Sequence, residues 1–181
     1  KKRGNYDMMN LIITCARHLE EDTEEELRDI LDELGDSEIE VSISDMSGIL
    51  TAQTKLDPIE VVKKMKEMLL DQPWSIRYCL RIIPIQKVIE TKIEVIEMEI
   101  SNISNQILDG ETYRILIEKR NSDISSKEII TKIAHEIKNK VSLDFPDKII
   151  LIEILGGMTG ISILKEVDIL SIEKTKRSMS E

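Results

Sequence analysis

Apolar and polar side chains recur along the chain with two different periods, and each change of period predicts the boundary of an element. Residues 113–118 alternate with a period of two, which predicts a partly buried strand. Residues 125–137 place isoleucines on one face of a helix, and Ser125 with Glu128 has the spacing of an N-terminal capping box. Residues 148–155 form a nearly unbroken apolar run that predicts a strand buried on both faces, followed by a glycine-rich hairpin turn and another strand from Ile161. The predicted order here is β-α-β-β.

The N-terminal half shows the same two periods in a different order. Strands are predicted at residues 9–15, 39–43, 49–54 and 75–83. One amphipathic helix is predicted from a capping box at Thr23 and Glu26 to a stop at Gly35, and another begins after Asp57-Pro58 and ends before Pro73. The resulting order, βαββαβ, is that of the ferredoxin-like fold.

These patterns divide the chain into two α/β domains. A helical stretch over residues 93–107 precedes the β-α-β-β stretch and belongs with it. We therefore predict an N-terminal ferredoxin-like domain over residues 8–85, a second α/β domain over residues 86–172, and a basic C-terminal tail over residues 173–181. The fold class is α/β in the broad sense and α+β more narrowly.

Several stretches carry a resemblance to a known family. They are Tyr78-Cys79-Leu80-Arg81, Pro84-Ile85, Glu118-Lys119-Arg120-Asn121, Val141-Ser142-Leu143-Asp144 with Pro146-Asp147, and the run IILIEILGGMTGISIL. In this order and spacing, over about residues 8–172, they resemble a THUMP-domain protein, and in particular the THUMP adaptor of tRNA N4-acetylcytidine formation.

The resemblance implies a function as well as a fold. It implies binding to the acceptor arm and 3′ end of tRNA, and presentation of that tRNA to an RNA cytidine acetyltransferase that acts in trans with acetyl-CoA and ATP. On this interpretation the chain itself is not an enzyme and needs no cofactor. DNA and membranes are not expected partners.

Net charge qualifies the RNA-binding interpretation. The chain carries a formal charge of -10, whereas binding to phosphate normally requires a basic surface. The acids are unevenly distributed, however: residues 20–40 contain twelve acids and a single base, whereas the chain from Thr112 onward has twelve bases and eleven acids. We therefore expect any RNA surface in the second half of the chain. The acidic region of residues 20–40 is a hypothetical docking face for a basic partner.

The sequence offers little that resembles a motif of catalysis or cofactor binding. Gly156-Gly157-Met158-Thr159-Gly160 is the nearest approach to a phosphate-binding loop, but it lies between two predicted strands and is better interpreted as a hairpin turn. Cys15 and Cys79 are too few and too far apart to predict a zinc site, and His18 and His135 lack a pattern of neighbouring ligands. We predict no catalytic residue and no metal site. The lack of a long apolar run or an apolar leader gives the expectation of a cytoplasmic protein.

The first group of candidate RNA-binding residues lies where a predicted strand leads into a helix. Backbone N–H groups at a helix N-terminus attract phosphate, and flanking basic side chains add to that attraction. The group comprises Lys119, Arg120, Asn121, Lys127 and Lys132. The alternative is a lysine-rich helix face that is simply solvated.

The second group is Arg77, Arg81 and Lys87, near the predicted junction of the two domains. These side chains are predicted either to grip the RNA backbone or to pair with acids at the junction. With one Trp, one Phe and three Tyr, the chain offers few aromatic side chains on which bases could stack. We therefore expect recognition of RNA backbone and shape.

Three other functions remain open on the sequence. A ferredoxin-like domain could serve as a small-molecule-sensing regulatory module, and a THUMP protein could serve a different tRNA-modifying enzyme. The chain could also be an enzyme with an unrecognised site, for which a cluster of perturbed pKa values in a cleft would be the first sign. Stabilisation by a small ligand without tRNA affinity would favour the first of these.

Overall fold

The computed structural model describes residues 9–180, which form two compact units. The first unit comprises the described residues up to Ile85 together with those from Val167 onward, and the second is Gln86–Glu166. Within the described residues there are two sheets and five α-helices, which confirms the predicted α+β fold class. Residue 8, where the first domain was predicted to begin, and the basic segment before it lie outside the described residues.

The first unit follows the predicted order βαββαβ. Its elements are β1 (Leu11–Thr14), α1 (Glu20–Leu34), β2 (Glu40–Ile43), β3 (Ile49–Gln53), α2 (Pro58–Asp71) and β4 (Arg81–Pro84). Successive neighbours in the sheet order β2-β3-β1-β4 are antiparallel. The predicted helix signals hold at three positions: Gly35 ends α1 in a left-handed conformation, and Asp57 caps α2 with Pro58 in its first turn.

Two predictions in this unit are wrong, and both involve Glu26. The helix α1 begins at Glu20, not at Thr23, so the capping box is absent and the Thr23 hydroxyl donates to the carbonyl of Leu19 at 2.6 Å. The strand predicted over residues 75–83 is limited to β4. Backbone N–H groups that a longer strand would give to a neighbour are instead bound by the Glu26 carboxylate.

The C-terminal residues differ from the predicted tail. Residues Leu170–Ser171 form β9 at the edge of the first sheet, beside β4, and Ile172–Met179 form α5. Leu170 and Ile172 are buried in the hydrophobic core of the first unit, which fixes this segment there instead of at the end of the second domain.

The second unit contains the predicted β-α-β-β order. Its elements are β5 (Lys87–Glu90), α3 (Ile93–Ile103), β6 (Tyr113–Arg120), α4 (Ser126–Glu136), β7 (Lys148–Leu155) and β8 (Met158–Leu164). The sheet order is β5-β8-β7-β6, with β6 parallel to β7 and the other pairs antiparallel. Strand β5 was not predicted. Gly156 and Gly157 form the two-residue turn of the β7–β8 hairpin, as expected.

Isoleucine side chains build the core of this unit. Ile96 and Ile100 of α3 and Ile129 and Ile133 of α4 pack with one face of the sheet, where Tyr113 is also buried. The predicted amphipathic helices therefore cover the same face of the sheet.

No helix within residues 9–180 has the length and apolar character that crossing a bilayer requires.

Candidate nucleic-acid interface

The first candidate group gathers at the C-terminal end of β6 and the N-terminus of α4. Lys119 and Arg120 are the last residues of the strand, and Asn121 follows in a left-handed conformation with φ of 53°, which lets the chain turn. The Ser125 hydroxyl accepts the N–H of Glu128 at 3.1 Å, so the predicted N-cap of α4 is confirmed. A short turn therefore connects Lys119, Arg120 and Asn121 to the start of α4.

The start of α4 retains hydrogen-bonding capacity. The first N–H groups of a helix have no acceptor within the helix itself. Among the described residues, none accepts a hydrogen bond from the backbone N–H of Ser126 or from that of Lys127. Lys127 is exposed at this end, so its ammonium group adds positive charge to the positive end of the helix dipole.

Three of the other candidates already have protein partners. The Lys119 ammonium group donates to the carbonyl of Ile124 at 2.9 Å and so closes the turn before α4. Arg120 lies 3.4 Å from the carboxylate of Glu153, a residue with no exposed surface, and Lys132 lies 3.6 Å from Glu97. These contacts compete with phosphate binding, because each ammonium or guanidinium group must share its donors.

The second candidate group does not form one cluster within a single unit. Arg77 and Arg81 belong to the first unit and Lys87 to the second. Arg77 is exposed and lies over the ring of Tyr78, with 5.6 Å between guanidinium carbon and ring centroid. Arg77 precedes β4, so it does not lie on the strand that was predicted over residues 75–83. Lys87 is exposed on β5.

The loop after α4 contains two further basic residues. Lys138 and Lys140 are exposed, and no described residue forms an ion pair with either side chain. Three exposed apolar residues follow them in the chain, Val141, Leu143 and Phe145. The two lysines close to α4 were the one feature of the sequence that indicated a basic surface here. The sequence did not indicate that Phe145 lies outside the core.

Acids of the N-terminal region are partly structural. Glu20 accepts the N–H of Gly48 at 2.9 Å, and this hydrogen bond lowers the pKa of the Glu20 carboxyl. Asp36 is buried, which by itself raises its pKa, but hydrogen bonds from Thr54, Lys55 and Glu38 outweigh burial and lower that pKa below its usual value. These acids therefore stabilise the first unit in addition to making it acidic.

The first unit also contains an acidic groove of about 620 Å³ between α1, the end of α2 and the segment after it. Its lining includes six carboxylates, on Asp22, Glu25, Glu26, Asp29, Glu33 and Asp71. Within the described residues, no group of three or more His, Cys, Asp or Glu has the geometry to hold a metal ion.

A comparison with protein families identifies a THUMP domain over residues 90–164. The match spans the second unit from the end of β5 to the end of β8, and it includes the whole of α4 and the loop after it. The chain thus contains a THUMP domain, in agreement with the resemblance found in the sequence. No curated protein sequence matches the chain.

Solved structures share the fold at low sequence identity. PH1313 from Pyrococcus horikoshii has a TM-score of 0.62 at 17% identity, over 87% of this chain and 55% of that one. TrmN from Thermus thermophilus has a TM-score of 0.58 at 13% identity, over 86% and 45%. A 4-thiouridine synthetase–RNA complex with bound ATP has a TM-score of 0.53 at 13% identity, over 90% and 42%. The chain therefore spans about half the length of the proteins that it resembles.

These likenesses correct one expectation. The chain was expected not to be an enzyme, but a 4-thiouridine synthetase is among the structures that share its fold, and the shared fold covers 42% of that chain. The expectation that the chain is not an enzyme is therefore wrong, because the fold that it shares is found in enzymes.

Proposed function

We propose that the chain binds tRNA through its second unit and presents it to the active site of an RNA-modifying reaction. The observation that carries the proposal is the THUMP domain, because the matched residues include the N-terminus of α4 and the exposed lysines on both sides of that helix. An RNA complex of a protein with the same fold also supports it. Phosphate would bind at the free N–H groups of Ser126 and Lys127, with the Lys127 side chain beside them.

The proposed reaction is formation of N4-acetylcytidine in tRNA. The sequence resemblance supports this choice, with an RNA cytidine acetyltransferase as the partner and the acceptor arm and 3′ end of tRNA as the part bound. A cytoplasmic location fits such a role. Arg77, Arg81, Lys87, Lys119, Arg120, Asn121, Lys127 and Lys132 remain the proposed RNA-binding residues, to which Lys138 and Lys140 are added.

The first experiment is tRNA binding across a salt series. A slope of log K against log[salt] that corresponds to roughly four to six phosphates is expected for the proposed surface. Lys127→Gln should weaken binding to all tRNAs alike and reduce the slope by about one phosphate. Lys63→Gln, an exposed lysine on α2 of the first unit, is the matched control and should leave the slope unchanged. Absence of binding at low salt would contradict the proposal.

The reaction requires a second experiment. The protein is added to tRNA, acetyl-CoA, ATP and an RNA cytidine acetyltransferase, and N4-acetylcytidine is measured by mass spectrometry. Faster acetylation, with less stimulation by the Lys127→Gln variant, is the expected result. Normal tRNA binding without stimulation would refute acetylation and leave RNA binding intact.

The acidic groove of the first unit favours one other function, the sensing of a small cationic ligand. Its six carboxylates are an unsuitable surface for RNA phosphate but a suitable one for cations. Stabilisation of the protein by such a ligand, together with no affinity for tRNA, would favour sensing over RNA binding.

A further inference from the structure

The loop between α4 and β7 exposes apolar side chains that could have been buried. Val141 is 55% exposed, Leu143 is 74% exposed, and Phe145, the only Phe of the chain, is 87% exposed. Isolated surface leucines need no explanation, but three large apolar residues within five positions form a patch of the kind that marks a binding site.

Hydrogen bonds to the main body of the unit hold this loop in place. The carbonyl of Tyr113, at the start of β6, accepts the N–H of Ser142 at 2.9 Å. The N–H of Thr112 donates to the Asp147 carboxylate at 2.8 Å, and the N–H of Asp147 donates back to the carbonyl of Thr112 at 3.1 Å. Within the loop, the N–H of Phe145 donates to the Ser142 hydroxyl at 3.3 Å. Phe145 is therefore presented on an anchored backbone, which lowers the entropic cost of binding through it.

Charge indicates what this aromatic ring binds. Lys138 and Lys140 are exposed just before the patch, and Asp144 is the one acid among residues 138–145. An exposed aromatic ring beside lysines is the combination with which proteins hold single-stranded nucleic acid, because the ring stacks on a base and the lysines bind the adjoining phosphates. A protein partner fits less well, since lysine is depleted in protein–protein interfaces and a stable interface needs about 800 Å² on each side.

We propose that Phe145 stacks on an unpaired nucleobase of the bound RNA, with Lys138 and Lys140 on the flanking phosphates. This inference rests on the proposed function and names the part of the RNA that the THUMP unit holds. It differs from the expectation of recognition by backbone and shape alone, because it adds a stacking contact with an unpaired nucleotide.

The test compares two RNA hairpins, one with a four-nucleotide single-stranded 3′ extension and one that is blunt. Phe145→Ala is expected to lower affinity for the extended hairpin by roughly 5- to 100-fold, the range for loss of one base–aromatic stack. The blunt hairpin should bind the variant and the wild type equally. Trp74→Ala is the matched control: Trp74 is also exposed, at 71%, but it lies in the first unit beside residues of the acidic groove and should not affect either hairpin.

Two more variants separate stacking from general apolar contact. Phe145→Trp keeps an aromatic face and should retain affinity, whereas Phe145→Leu keeps apolar bulk and should lose it. With 2-aminopurine placed in the 3′ extension, wild type and Phe145→Trp should change its fluorescence by stacking, and Phe145→Ala should not. Because Phe145 is exposed, all three variants should unfold at the wild-type urea concentration.

The outcomes distinguish this inference from the proposed function. If the wild type binds both hairpins and Phe145→Ala binds them equally well, stacking is refuted and RNA binding stands. If the wild type binds neither hairpin, stacking is refuted, and tRNA binding across the salt series decides the proposed function. If Phe145→Leu behaves as the wild type, the residue makes a general apolar contact, such as one with a protein, and stacking is again refuted.

Discussion

Replacement of Glu26 should destabilise the first unit far more than its position on an acidic helix suggests. Its carboxylate accepts the N–H of Arg77 at 2.7 Å, of Tyr78 at 3.0 Å and of Cys79 at 3.0 Å. Hydrogen bonds to charged groups contribute about 1.5–3 kcal/mol each when buried. Glu26 is half-buried, so water replaces part of what is lost. We expect Glu26→Ala to lower the free energy of unfolding by about 2–4 kcal/mol.

The assay is urea unfolding followed by the fluorescence of Trp74. This is the only Trp of the chain, and it lies three residues before the bound segment, so its signal reports on the first unit. Glu25→Ala is the matched control because Glu25 precedes Glu26 on α1, is exposed, and loses the same charge. If the two variants unfold within about 0.5 kcal/mol of each other, the range expected of ordinary surface substitutions, the three hydrogen bonds do not stabilise the fold.

Three further predictions concern the first unit. Asp36→Asn should lower the free energy of unfolding at pH 7 and make it depend less on pH below about 4. The native protein holds the pKa of the Asp36 carboxyl below its usual value of about 3.9, so this carboxyl adds stability that is lost as pH falls through the native pKa. Urea midpoints at pH 7 and pH 3 measure both effects. Gly48→Ala should lower the free energy of unfolding by about 2 kcal/mol or more in the same assay, because φ at Gly48 is 74° and a Cβ there would lie 2.5 Å from the backbone oxygen of Cys15. Burial and the nearby Glu26 carboxylate raise the pKa of the Cys79 thiol, so Cys79 should react with a thiol reagent slowly in the native protein and faster in Glu26→Ala; equal rates would contradict this.

Local patterns predicted most elements but not their long-range partners. The spacing of a capping box occurs at both Ser125 and Thr23, yet it caps a helix at Ser125 alone. At Thr23 the three acids that precede it form a favourable first turn, so the helix starts earlier and the Thr23 hydroxyl bonds back to Leu19. The two sites differ in what lies upstream, which a four-residue motif does not contain.

The strand predicted over residues 75–83 shows the same limit at longer range. Its alternation of apolar and polar residues is real, but Glu26, more than fifty residues earlier in the chain, takes the backbone N–H groups of residues 77–79. Strand β5 was missed for the converse reason, because four residues give too short a pattern, and pairing with β8 decides its conformation. Pairing of this kind depends on residues that are distant in sequence.

The candidate site was predicted by counting charges, whereas binding depends on which charges are available. Lys119, Arg120 and Lys132 each have a partner in the protein, while Lys127, Lys138 and Lys140 are exposed without an ion pair among the described residues. Replacing Lys119, Arg120 or Lys132 would remove a contact within the second unit as well as any contact with RNA. A loss of RNA affinity in such a variant could therefore come from either change. The latter three lysines give the cleaner test.

The same reasoning changes what the net charge of -10 means for RNA binding. Over residues 86–166 the sequence has eleven Lys and Arg against fourteen Asp and Glu, so this unit is only mildly acidic. Glu97, Glu111 and Glu153 form ion pairs with Lys or Arg of the same unit, which cancels part of their field at the surface. Because salt screens exposed charges beyond about 10 Å, local lysines decide phosphate binding more than the acids of the whole chain. We therefore expect the acidic composition to weaken non-specific RNA binding. RNAs whose phosphates contact Lys127, Lys138 and Lys140 should bind more tightly than RNAs that do not.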